Sequence, residues 1–190
     1  MNITLSNDVL DAIDTTRVDY VHPQMQQWFH LQSGREHYRL LIYLTNCFNN
    51  IKIADIGTYR GASATALAQN KSNQVFSLDV GVFKEKIPLK NINFCVGDFH
   101  TDKNIQDTIL ASSFIFLDID HLYNNEIWLY QFLTKNNWTG IMLCDDIYLN
   151  DEMRRFWNEL SHPKQDITKY GHGSGTGFVN FNSDITLELK

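Results

Sequence analysis

Three aspartates and a histidine beside apolar runs are the residues of this chain best suited to chemistry. They stand in Phe116-Leu-Asp118-Ile-Asp120-His121 and in Leu143-Cys-Asp145-Asp146. Both runs are short and apolar enough for buried strands, so Asp118, Asp145 and Asp146 fall where two strands end. Carboxylates converging from neighbouring strand ends repel one another unless a cation neutralises them. An all-oxygen donor set favours Mg²⁺, with Mn²⁺ or Ca²⁺ as alternatives, over zinc. The competing structural reading makes Asp120 the cap of a helix starting near His121 and Asp145-Asp146 a solvated turn; for Asp120 alone the cap is preferred. His121 can take a proton near neutral pH or orient a neighbour, and the residue types do not choose between these roles.

A second group lies in Ile53-Ala-Asp-Ile-Gly-Thr-Tyr-Arg-Gly-Ala-Ser63, where an apolar run ends in an acid and two glycines follow, separated by three residues. Gly57 permits a tight turn, and Gly61 lets the next helix start against the backbone. The segment reads as a nucleotide-type cofactor loop with Asp55 at the strand's carboxyl end; a purely structural strand-to-helix turn is the alternative. The close glycine pair of the dinucleotide fingerprint is missing, which makes a nicotinamide or flavin site the weaker reading. Asp79 follows Gly57 by 22 residues, about the offset at which an acid meets ribose hydroxyls in a nucleotide-binding α/β unit. Asp98, in Val96-Gly-Asp-Phe99, is placed to accept from an adenine amino group with Phe99 against the ring. Turn chemistry competes at both aspartates.

These residues need strands and helices to hold them. Strand candidates recur at Lys52 to Ile56, Gln74 to Asp79, Ile92 to Val96, Phe114 to Asp118 and Gly140 to Cys144. Helical patterns separate several of them: Ala62 to Ala68, the face Tyr123, Ile127, Tyr130 and Leu133, and a helix capped by Asn150 carrying Met153, Phe156, Trp157 and Leu160. Ser33-Gly-Arg-Glu36 has the spacing of a capping box and predicts a helix start ahead of Tyr38, Leu41, Leu44 and Phe48. Alternating strands and helices imply an α/β fold, a parallel sheet covered by helices on both faces. Gly177 to Phe181 and Ile185 to Leu189 are expected to close it as an antiparallel hairpin. The helical first 32 residues, with Trp28 and Phe29, form either a cap or lid over the site or part of the core. The run Gly171-His-Gly-Ser-Gly-Thr-Gly177 leads into a strand, so it reads as a mobile loop rather than a phosphate cradle, with His172 within reach of substrate.

Composition narrows the function. The chain has 190 residues, 16 Lys and Arg against 22 Asp and Glu, and a net charge of −6 without a basic block. One domain and one substantial core are expected, while nucleic acid and anionic membranes are disfavoured as partners. No segment approaches membrane-spanning length, and an N-terminus with Asp8, Asp11 and Asp14 ahead of its first basic residue is no signal peptide. Cys47, Cys95 and Cys144 each sit in apolar sequence as reduced core residues. A cytoplasmic protein is expected, and a homodimer is compatible with everything above.

Together the motifs resemble the class I S-adenosylmethionine-dependent methyltransferases, over roughly Ser33 to Leu189. The resemblance implies a Rossmann-like, seven-stranded, mostly parallel sheet with an antiparallel last strand. It also implies that Asp55, Gly57, Thr58, Tyr59, Gly61, Ser63, Asp79, Asp98 and Asp118 face S-adenosylmethionine. Within that class the chain is similar to the metal-dependent O-methyltransferases, more closely to macrolide-sugar and cephalosporin-pathway proteins than to the catechol and caffeoyl-coenzyme A groups. By that resemblance Asp118, Asp145 and Asp146 are the metal ligands, Mg²⁺ the first choice, and His121 the catalytic base. The catechol-like enzymes usually offer a lysine around the position of His121. The implied activity is O-methylation of a small hydroxylated acceptor; the alternative is a methyltransferase-like protein that binds cofactor without turnover.

Overall fold

The computed structural model describes residues 1–190 apart from 17, 19, 20, 84–86 and 183. Strand β1 (Asn2–Leu5) is followed by helices α1 (Asn7–Asp11), α2 (Pro23–Phe29) and α3 (Tyr38–Asn46). The chain then alternates through β2 (Lys52–Ile56), α4 (Ala62–Leu67), β3 (Gln74–Asp79), β4 (Ile92–Val96), α5 (Lys103–Leu110), β5 (Phe114–Leu117), α6 (Tyr123–Lys135), β6 (Ile141–Asp145) and α7 (Asp151–Glu159). It ends in β7 (Lys164–Asp166), β8 (Thr176–Asn180) and β9 (Thr186–Leu189). The main sheet has seven strands in the order β4-β3-β2-β5-β6-β8-β7; β2 to β6 run parallel, and β8 is antiparallel to both β6 and β7.

Central strands need both faces apolar, and β5 meets that demand residue by residue. Phe114 and Phe116 point into the core shared with α3, α4 and the N-terminal segment. Ile115 and Leu117 point into the core beneath α5, α6 and α7. In β6, Ile141 and Leu143 divide from Met142 and Cys144 in the same way. Asn150 caps α7, its side chain accepting from Met153 N at 2.8 Å, an arrangement worth about 1 kcal/mol. The expected strands and helices of the α/β core are all present within a residue or two.

Two expectations are corrected. The antiparallel hairpin exists, but its strands are β7 and β8; β9 instead leaves the main sheet and pairs in parallel with β1, Ile3 opposite Leu187. Strand existence was encoded by local pattern, whereas its partner came from the other end of the chain. The capping box at Ser33 and Glu36 does not form: residues 33–35 make a turn with Gly34 at φ 76°, and α3 starts from His37 without a side-chain cap. A Cβ at Gly34 would lie 2.4 Å from Lys169 O, so this turn is set by a tertiary approach that local spacing does not record. Of the lid and core readings of the N-terminal aromatics, the core one holds for Phe29: it stacks on Tyr38 with ring centroids 4.4 Å apart, and both are buried. No helix among the described residues is long and apolar enough to cross a membrane.

Candidate active site

The strand order reverses between β2 and β5, the place where an open α/β sheet leaves a crevice beyond its carboxyl ends. Gly57 and Asp118 meet there. Gly57 has φ 108°, and a Cβ on it would come within 1.6 Å of Asp118 O, so only glycine lets the loop after β2 pass this close to the end of β5. Asp55 is fully buried beneath the loop: Ser77 Oγ donates to its Oδ2 at 2.6 Å, and Ser77 Oγ in turn lies 2.7 Å from Thr58 Oγ1. Burial raises the Asp55 carboxyl to about 7 despite the hydroxyls of Ser77 and Ser63.

A cavity of about 710 Å³ opens from this crevice, lined by Gly57, Tyr59, Asp79, Asp98, Phe99, Asp118 and His121 among others. Its size suits a cofactor-sized ligand. Asp79 Oδ2 accepts from Tyr59 N at 3.1 Å and its Oδ1 from Gly81 N at 2.8 Å, which fixes the carboxylate at the cavity wall. Asp98 accepts from the backbone N–H of His100 at 2.9 Å, and that bond with the His100 ring holds its carboxyl below the usual range. Of the residues expected at a cofactor, Gly57, Tyr59, Asp79, Asp98 and Asp118 line the cavity. Asp55, Thr58, Gly61 and Ser63 do not; they are the buried support of the loop and of the first turn of α4. Another cavity, about 340 Å³ around Ser112 and Thr139, lies at the amino ends of β5 and β6, away from these groups.

The second half of the site is a cluster of carboxylates and imidazoles. Asp118 follows β5, Asp145 ends β6 and Asp146 follows it. His121 Nε2 lies 3.1 Å from Asp146 Oδ2 and 3.8 Å from Asp118 Oδ1. His172 Nδ1 lies 3.1 Å from Asp146 Oδ1 and 3.7 Å from Asp145 Oδ2. The glycine-rich run is tied down by Tyr148 N to Ser174 O at 2.8 Å and by His172 N to Thr176 Oγ1 at 2.8 Å, and it turns His172 and Ser174 towards Asp146. Asp120, expected as a helix cap, instead accepts from Leu122 N at 3.3 Å and Asn125 Nδ2 at 2.6 Å, while the cap position of α6 belongs to Leu122.

Two members were invisible to sequence reasoning. Glu36 and His37, on the turn into α3, reach across to the strand ends: His37 Nδ1 lies 3.2 Å from Asp145 Oδ2, and Glu36 Oε1 lies 3.7 Å from His172 Nε2. The one available signal was an adjacent Glu-His pair at the head of an apolar helix, and the capping pattern had accounted for the glutamate.

The charges depend on one another. Burial opposes a proton on His37, yet Asp145, Asp118 and Glu36 together raise it to about 9. Burial and then Asp145 push Asp118 up to about 7, against the pull of His37. Burial also acts on Asp146, but hydrogen bonds from His172 and Ser174 and the proximity of His121 bring its carboxyl below the usual range. The His172 imidazole is raised, first by its bond to Asp146. Among the described residues four trios offer donor atoms within 4.8 Å of one another: Glu36, His37 and His172; His37, Asp118 and Asp145; Asp118, His121 and Asp146; and Asp145, Asp146 and His172. The aspartates expected as ligands are thus shared among trios, each completed by a histidine.

Solved structures share this arrangement of strands and helices. Cofactor-bound Rv0187 from MTB aligns over 93% of this chain and 88% of its own with a TM-score of 0.56 and 16% identity. The fold is that of the class I methyltransferases. SAH-bound methyltransferase PaMTH1 of Podospora anserina aligns over 76% of this chain and 77% of its own with a TM-score of 0.53 and 14% identity. The O-methyltransferase from Bacillus cereus in complex with SAH aligns over 75% and 78% at a TM-score of 0.50 and 17% identity. No protein-family model and no curated protein matches the sequence. In the methyltransferase fold the crevice between β2 and β5, with its cavity, occupies the switch point of the sheet.

Proposed function

We propose that the chain is an S-adenosylmethionine-dependent methyltransferase that methylates a hydroxyl of a small acceptor with the help of a divalent cation, Mg²⁺ or Mn²⁺, at Asp118, Asp145 and Asp146. One observation carries the reading: Asp118 and His121 belong both to the cofactor-sized cavity and to the carboxylate–imidazole cluster. A methyl donor in the first would therefore abut an acceptor oxygen in the second. The orphaned Asp145 Oδ1, buried without a hydrogen bond, supports a cation, because an unpaired buried carboxylate oxygen is costly.

The residues divide the work. Asp79 and Asp98 would hold the polar edges of the cofactor, and the Gly57 turn brings the loop after β2 against Asp118 at the end of β5. Methyl transfer needs the acceptor oxygen in line with the sulfonium methyl and anionic at that moment. His121, which lines the cavity, would act as the base for the hydroxyl proton, and Asp146 Oδ2, 3.1 Å from its Nε2, would steady the imidazolium that results. The cation, when bound, lowers the hydroxyl pKa and fixes its geometry. The chain carries a net charge of −6 without a basic block in its sequence, so the acceptor is a small molecule rather than nucleic acid; its free cysteines fit a cytoplasmic setting.

Formation of S-adenosylhomocysteine from S-adenosylmethionine, assayed over a panel of diol and sugar acceptors with Mg²⁺, Mn²⁺ or chelator, tests the reading. Turnover that disappears with chelator and in Asp146→Ala is expected. Turnover that is indifferent to both removes the cation from the mechanism.

A further inference from the structure

We infer that Asp120, steered by Asn125, selects the base of the cofactor: its carboxylate accepts from the 6-amino group of an adenine and turns away a 6-oxo purine. This selection rests on the S-adenosylmethionine cofactor of the proposed function and adds to it the side chain that tells one nucleoside from another. The sequence favours Asp120 as the cap of α6. In the structure that position belongs to Leu122, and Asp120 stands instead at the wall of the cavity of about 710 Å³, together with Asn125 from the first turn of α6.

One end of this cavity is aromatic. Phe99 and His100 line it and stack on each other with ring centroids 4.3 Å apart. Trp128 of α6 lies 4.7 Å from the His100 ring and 5.5 Å from that of Phe99, and Phe132 stacks on Trp128 at 5.1 Å. Asn125 precedes Trp128 by three residues in α6, so the two share a helix face and Asn125 belongs to the same end. Asn125 Nδ2 donates to Asp120 Oδ2 at 2.6 Å and ties Asp120 there as well. The purine is the flat, stackable part of S-adenosylmethionine, and aromatic walls are where it gains most.

Asp98 and Asp120 both bring a carboxylate to this end, and their commitments differ. Asp98 Oδ1 accepts from the backbone N–H of His100 at 2.9 Å and lies 2.9 Å from its ring Nδ1, while Oδ2 accepts from Thr101 Oγ1 at 3.3 Å. Both oxygens of Asp98 thus serve the turn after β4. Asp120 receives one short bond, from Asn125 to Oδ2, and one long one, from Leu122 N to Oδ1 at 3.3 Å. Each carboxylate oxygen has two lone-pair sites, so Oδ1 keeps room for a ligand N–H, and a carboxylate can only accept. An adenine offers an amino donor at its 6-position, whereas a hypoxanthine offers a carbonyl, lone pairs against lone pairs. The first pairing is favourable and the second leaves two acceptors facing each other, which turns an anchoring carboxylate into a discriminating one.

Calorimetric titration of the full chain with S-adenosylhomocysteine and with S-inosylhomocysteine, which carries hypoxanthine in place of adenine, gives the test. The wild type is expected to prefer the adenine compound at least about tenfold. Asp120→Asn, an isosteric change on an exposed side chain, supplies an amide that can donate to a 6-oxo group; it should weaken the adenine compound, strengthen the hypoxanthine one and narrow their ratio at least about tenfold. Asp98→Asn should shift both affinities together and leave the ratio alone. A wild type that binds the two compounds equally, a ratio unchanged in Asp120→Asn, or one narrowed as far in Asp98→Asn overturns the selection by Asp120 while S-adenosylhomocysteine binding keeps the methyltransferase reading. If the wild type binds neither compound, that reading falls and the selection falls with it.

Discussion

His121 and Asp146 face each other across the ends of β5 and β6, Nε2 to Oδ2 at 3.1 Å, and both hold left-handed backbone conformations, with φ of 56° and 57°. Such a conformation costs a side-chain-bearing residue on the order of 1 kcal/mol or more, and here it is adopted at both ends of one contact. The strain brings the His121 imidazole at the cavity and the Asp146 carboxylate together. If His121 serves as the proposed base, such pre-aiming spares it reorganisation when acceptor arrives.

Replacing His121 with Asn, which tolerates φ near 56°, should keep the fold and remove the proposed base. We expect kcat to fall by about 10²–10⁴-fold, with the KM for S-adenosylmethionine unchanged. A His121→Asn variant that keeps the wild-type kcat would assign the proton to another group.

Gly57 is expected to be the least replaceable glycine of the chain. An alanine there places Cβ within 1.6 Å of Asp118 O at φ 108°, and neither backbone can yield without moving the crevice. Gly57→Ala should cost at least about 2 kcal/mol in denaturant unfolding and abolish cofactor binding. Gly173→Ala provides the control, because nothing lies within 4 Å of its added Cβ; a change within about 0.5 kcal/mol is expected there.

The metal-free protein should lose stability as pH rises. Asp55 and Asp118 are held near 7 against an ordinary 3.8, and His37 near 9 against 6.5. In each case the folded value is the higher one, so the folded chain binds more protons. The favourable contribution is complete below the unfolded value and disappears as pH passes through the folded one. The aspartates account for the decline from about pH 4 to 7, and His37 for the decline from 6.5 to 9. For the fully buried His37 the swing is on the order of 3 kcal/mol. Thermal melts of chelator-treated protein between pH 6 and 10 check this, with a flattened slope expected for His37→Asn and after addition of a divalent cation.

The legible and illegible parts of the site differ in what holds them. Asp79, Asp118, Asp145 and Asp146 could be read because a short apolar run places its terminal acid at the sheet's carboxyl edge whatever lies around it. His121 and the Gly57 loop were legible for the same reason. Glu36 and His37 sit instead on a turn whose shape depends on Gly34 passing Lys169, more than a hundred residues away. The pairing of β9 with β1 rather than with β8 is likewise a contact between chain ends. Local pattern records that a segment is a strand and which face is apolar; the partner is chosen by the assembled core.

The central claim is that the cavity between Asp79, Asp98 and Asp118 receives S-adenosylmethionine, and calorimetry with S-adenosylhomocysteine tests it most directly. One molecule bound per wild-type chain, with affinity lowered at least about tenfold in Asp79→Ala while its unfolding curve is unchanged, is the predicted result, since a lost charge-assisted hydrogen-bond pair is worth about 1.5–3 kcal/mol. Wild-type protein that binds no S-adenosylhomocysteine, or that binds it equally well without the Asp79 carboxylate, would contradict the account.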